Sequence, residues 1–134
     1  MTKKTEWCDR TLMRSPLYYT VCTSEERFHK ELERMKLPRE TWPGFLKTPQ
    51  ANATAHYFSN SETCSEAAIV CLHPDTERDP LEVVGLIVHE AAHIWQQIRE
   101  YIGEGAPSAE FEAYSLQWIT QQLLGEYRRQ VYGC

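Results

Sequence analysis

Leu17, Tyr18, Tyr19 and Val21 follow one another closely, and an aromatic and β-branched run of this kind suits a strand over residues 17–23. Thr23 and Glu26 stand at capping-box spacing before Phe28, Leu32 and Met35, which recur at helical intervals. The pattern predicts a short helix over 24–36, ended by Pro38. Pro38, Pro43, Gly44 and Pro49 mark residues 38–52 as a loop, with Trp42 and Phe45 as its aromatic anchors. Residues 54–58 and the run from Ala67 to Leu72 are strand-like, and the polar residues 59–65 between them have turn chemistry. Together they predict an antiparallel hairpin. Residues 1–16 read as an irregular lead-in.

The second half is helical. Asp79 can cap free N–H groups, Pro80 fits the first helical position, and Glu82 favours the positive end of the helix dipole. A helix is expected over 80–102, stopped by Gly103. Its segment 83–88 is apolar nearly all round, which predicts burial there. Ser108 is the expected cap of a last helix over 109–131, with Phe111, Trp118, Leu123 and Val131 among its apolar residues. The order of strand, helix, hairpin and two long helices predicts an α+β fold. In that fold a small antiparallel sheet packs on a long buried helix and a second long C-terminal helix, with the helices on one side.

Composition narrows the classes. The 134 residues suit a single domain spanning 1–134. Four Trp, seven Tyr and four Phe are too many for a disordered chain. No apolar run is long enough for a membrane span, and no apolar leader opens the chain, so a cytoplasmic protein is expected. Residues 51–134 hold four basic and twelve acidic residues, which argues against nucleic acid as a partner. The cysteines at 8, 22, 64, 71 and 134 form no Cys-x-x-Cys pair and are expected as reduced thiols.

One segment carries chemistry: His89-Glu90-Ala91-Ala92-His93, inside the first long helix. Residues four apart lie on one helical face, so both imidazoles can reach one metal ion. Glu90 is turned by about 100° from His89 and borders that face, where it can take a proton without ligating the metal. Zinc accepts such nitrogen and oxygen donors and keeps a position open for water. No histidine follows His93, so a third ligand is sought among carboxylates. Glu110 and Glu112, in the first turn of the last helix, are the candidates, with Glu104 in the intervening loop. Glu110 and Glu112 lie about 200° apart and cannot both face one metal.

The H-E-x-x-H helix followed by Glu110-Phe111-Glu112-Ala113-Tyr114 on a second helix resembles the gluzincin zinc peptidases. More narrowly it is similar to minimal single-domain gluzincins with a zincin-like fold. Those families often carry Glu-x-x-Ala-Asp or Glu-x-x-Ala-Asn at the second site; here Tyr114 stands in the last position. His93-Ile94-Trp95-Gln96 and residues 112–117 also resemble small metallopeptidases encoded by phages and prophages. The resemblance implies a Zn2+ cofactor held by His89, His93 and Glu110, with Glu112 as the alternative third ligand. It implies peptide-bond hydrolysis by zinc-activated water, with Glu90 as general base. Tyr114 and His73, and beside them Tyr101 and His56, are candidates for stabilising the oxyanion. A peptide or protein substrate is expected to add a strand along the run from Ala67 to Leu72, taken as the sheet edge. The alternative is a zincin-like binding or assembly protein whose metal site is structural or vestigial.

Overall fold

A computed structural model describes residues 3–8, 15–74 and 77–134. The lead-in expected over 1–16 therefore lies partly outside the described residues. The elements are β1 (Leu17–Cys22), α1 (Glu25–Arg34), a single 3-10 turn (Arg39–Thr41), β2 (Thr54–Asn60), β3 (Ser65–Cys71), α2 (Pro80–Tyr101) and α3 (Ala109–Tyr132). The α+β architecture matches the expectation from sequence, and so does the hairpin. The caps of the two long helices do too: Asp79 accepts from Leu81 N and Ser108 from Phe111 N. At α1 the cap is Ser24, which accepts from Arg27 N, rather than the expected Thr23. Past α2, Gly103 takes φ 72°, a left-handed conformation that suits glycine at a helix end.

The sheet departs from the expected antiparallel form. Its order is β1-β3-β2, with β2 antiparallel and β1 parallel to β3. A crossover through α1 brings the chain back in the direction that makes this pairing parallel. Two corrections follow. The run from Ala67 to Leu72 is not an edge, because β3 is hydrogen-bonded on both sides. Nor do the helices share one side. Leu17, Tyr19, Val21, Ala68 and Val70 face α2 and α3, where Ile87, Ala91, Ile94, Trp95 and Ile98 meet Ile119 and Leu123. Cys22, Ile69 and Cys71 point the other way, toward Phe28 and Leu32 of α1 and the loop residue Phe45. Strand alternation forces this division, since successive side chains leave opposite faces of a sheet. Each fully buried Leu, Ile or Phe contributes about 1.5–3 kcal/mol of burial free energy, so both layers stabilise the sheet.

The outer side of β1 is not bare. Cys8 N donates to Tyr19 O at 3.1 Å, and Thr20 Oγ1 donates to Glu6 O at 2.7 Å. That N-terminal segment is held from the helix side as well, since Glu6 N donates to buried Glu126 Oε2 at 2.9 Å. Among the described residues no strand lies outside β1 or β2, and β2 has no flanking segment hydrogen-bonded to its backbone as β1 has at Cys8.

The expected all-round burial of 83–88 also fails. Val83 and Ile87 are buried, but Leu81, Val84 and Val88 are exposed. The sheet and α3 cover one side of α2, and the described chain supplies no layer for the other. Among the described residues, no helix is long and apolar enough to cross a membrane.

Candidate metal centre

His89 and His93 are exposed on α2, one turn apart. Their rings meet at a centroid distance of 4.7 Å and 77°, with the two Nε2 atoms 3.1 Å apart. Two nitrogens bound tetrahedrally to zinc, at bond lengths of about 2.0–2.1 Å, stand about 3.3 Å from one another. The pair thus converges to a separation that suits two ligands of one zinc ion. Gln96, one turn further on, fixes the second ring. Its Oε1 can only accept, so His93 Nδ1–H donates to it at 3.0 Å. The neutral ring then carries its lone pair on Nε2, the nitrogen that faces His89.

Glu90 leaves α2 toward the sheet. It is buried, with 7% of its surface exposed, and its carboxylate accepts no hydrogen bond among the described residues. Burial raises its carboxyl above the ordinary range, while His89 and then His93 pull it back. Tyr57 is the other group near it. On β2, Tyr57 pairs with Ala68, on the face that α2 covers. Burial, with the Glu90 carboxylate as the lesser cause, pushes its phenol up to about 12. Tyr57 was missed in the sequence, although the parity of the hairpin carried a signal. If His56 and Phe58 face one way, Ala55 and Tyr57 face the other.

The two candidate carboxylates of α3 have different fates. Glu112 Oε2 accepts from Trp95 Nε1 at 2.9 Å and lies 3.6 Å from Arg99 Nη1, so it ties the helices together. Trp95 and His93 are two residues apart on α2, about 200° around the axis. The bond to Trp95 therefore holds Glu112 away from the imidazole pair. Glu110 is exposed in the first turn of α3 and has no hydrogen bond or ion pair among the described residues. Among those residues, no group of three or more His, Cys, Asp or Glu is assembled to hold a metal. Two imidazoles fit zinc, but neither Glu110 nor Glu112 joins them in this arrangement. Glu104 lies exposed in the loop and joins no such group either.

The oxyanion candidates are dispersed. His73 packs on Phe45 at 4.6 Å, and His56 Nε2 lies 2.8 Å from Phe45 O with its ring stacked on Phe28 at 4.9 Å. Both belong to the α1 side of the sheet, across from the imidazole pair. Tyr114 is 61% exposed on α3. Tyr101, two turns beyond His93, is exposed, with Glu66 and Gln97 nearby. None of these four is brought to Glu90, whereas Tyr57 is.

No family model matches the chain, and no curated protein or solved structure matches it.

Proposed function

We propose that the chain is a zinc-dependent metallopeptidase of the gluzincin type. The observation that carries this reading is the convergence of His89 and His93 Nε2 to 3.1 Å on one face of α2, with the largely buried Glu90 beside them. His89 and His93 would hold the metal. Glu110 is the carboxylate left free to complete the set, since Glu112 is occupied by Trp95 and Arg99. A zinc ion held there would supply Lewis-acid chemistry for a peptide carbonyl and a water.

Glu90 accepts the proton of the attacking water and passes it to the leaving amine, a role that its raised affinity for protons suits. Tyr57 offers a neutral phenol O–H beside it for the oxygen that gains charge. The substrate lies along the open edge of β2, which carries Tyr57, rather than along β3. Main-chain hydrogen bonding at that edge requires an extended peptide.

Cleavage of a mixed peptide library by the full chain tests the proposal. Activity should disappear with a zinc chelator, return with added zinc, and be absent in Glu90→Gln. Cleavage that survives both the chelator and Glu90→Gln would contradict it.

A second reading, a binding or assembly protein on the same scaffold, draws on one observation. Leu81, Val84 and Val88 form an exposed apolar row on α2, and in soluble proteins such rows mark contact surfaces. If it holds, light scattering will show an oligomer that Val84→Asp with Val88→Asp disperses, and the library will stay uncut.

A further inference from the structure

A second site lies away from the imidazole pair, where the start of α2 meets the last turns of α3. There a cleft of about 640 Å³ is lined by Arg78, Val83, Val84, Leu124, Tyr127 and Arg128, among others. Its walls are largely aliphatic and phenolic, and among the described residues no Asp or Glu lines it. We infer that this cleft binds a carboxylate carried on an apolar body.

Charge pairing in the acidic half of the chain supports this. Residues 51–134 contain four basic side chains, all arginines. Arg99 lies against Glu112, and Arg129 pairs with Glu126 and Glu6. Arg78 and Arg128 have no carboxylate partner among the described residues, and both line the cleft. Two guanidinium groups without a carboxylate partner among the described residues thus line one cleft of a chain with net charge −5, where an anion would complement them.

Arg78 supplies the sharper observation. Its Nη2 donates to Asn52 Oδ1 at 3.3 Å, while its Nη1 is shielded from solvent and has no hydrogen-bond partner among the described residues. Buried donors of this kind are ordinarily satisfied, and an orphan charged one is among the least expected. Asp79, next in the chain, does not serve it, because its carboxylate caps Leu81 N at 2.9 Å. Tyr127 is also near: Arg78 lowers its phenol pKa, against the larger opposing effect of burial.

A planar carboxylate matches the fork of a guanidinium. The aliphatic walls of Val83, Val84 and Leu124 favour a ligand with an apolar portion over a bare inorganic anion. The same chemistry is offered by a free aliphatic acid and by the C-terminal end of an apolar peptide.

The test is a titration of the full chain followed by backbone amide shifts. The probes are octanoate, 1-octanol, inorganic phosphate, and an acetylated Ala-Leu-Phe peptide as free acid and as amide. Octanoate or the peptide acid should shift the amides of Val83, Val84, Leu124 and Gly125 saturably. Octanol and the peptide amide should bind at least about tenfold more weakly. Arg128→Gln, an exposed substitution, and Arg78→Gln should each weaken the acid by a similar factor. Whichever acid binds more tightly identifies the source. No saturable shift would overturn the inference, as would equal binding of acid and uncharged analogue, or tighter binding of phosphate. Unchanged affinity in Arg128→Gln would overturn it without reliance on the half-buried Arg78.

Discussion

The indole N–H of Trp95 donates to Glu112 at 2.9 Å across the α2–α3 contact, and this bond fixes which faces of the two helices meet. Trp95 is buried at 2% exposure, so its N–H has few other partners. The bond gives Glu112 a structural role and turns Glu110, about 200° away, toward a different side.

These two carboxylates should separate cleanly on mutation. Glu112→Ala leaves the Trp95 donor unsatisfied and should cost about 1–3 kcal/mol of stability in urea unfolding, with zinc stoichiometry unchanged. Glu110→Ala removes an exposed residue and should change stability by less than about 0.5 kcal/mol while weakening zinc binding. The reverse pattern would give the ligand role to Glu112.

Gln96 should tune the metal through His93, because its Oε1 sets the ring that presents Nε2. Gln96→Ala is expected to lower zinc affinity by about 10- to 100-fold with little change in folding. Competition against a chromophoric chelator measures this, and an unchanged affinity would remove Gln96 from the site.

Tyr57→Phe should reduce turnover by about 10²-fold and leave KM nearly unchanged, as expected for a donor used mainly in the transition state. A change confined to KM would instead make Tyr57 a substrate contact on the β2 edge.

The elements of this fold were legible because each one carries its own local signal. Capping residues precede all three helices, and Gly103 follows α2. The imidazole pair was legible for the same reason, since one helix carries both rings at a four-residue spacing. What stayed hidden depends on elements far apart in the chain. Whether β1 joins β3 in parallel depends on the path through α1, which no local pattern encodes. The burial of 83–88 was overestimated because composition does not say how many layers cover a helix. Glu112 was the alternative third ligand, yet the group that meets its carboxylate is Trp95. His56 and His73 looked available until the sheet placed them on the α1 side.

The thiols make a pH prediction. Burial pushes Cys8 and Cys22 up from 9.0 to about 12, with the charges of Glu126 and Glu31 respectively as the next causes. The folded state therefore keeps protons that the unfolded chain releases. The stability from this source is complete below pH 9.0 and is lost as pH rises toward 12. Tm should fall across that window, and less steeply in Cys22→Ala. At pH 8, a thiol reagent should label exposed Cys64 and Cys134 first, with Cys22 and Cys71 protected until unfolding. Rapid labelling of Cys22 in the folded protein would contradict this packing.

Metal content is the sharpest test of the imidazole pair as a zinc site. The full chain, reconstituted with zinc at neutral pH and desalted, is weighed by native mass spectrometry beside His93→Ala and Glu90→Ala. The account predicts a single zinc per chain, absent in His93→Ala and retained in Glu90→Ala. A native chain that takes up no zinc, or a zinc that His93→Ala retains, would contradict it.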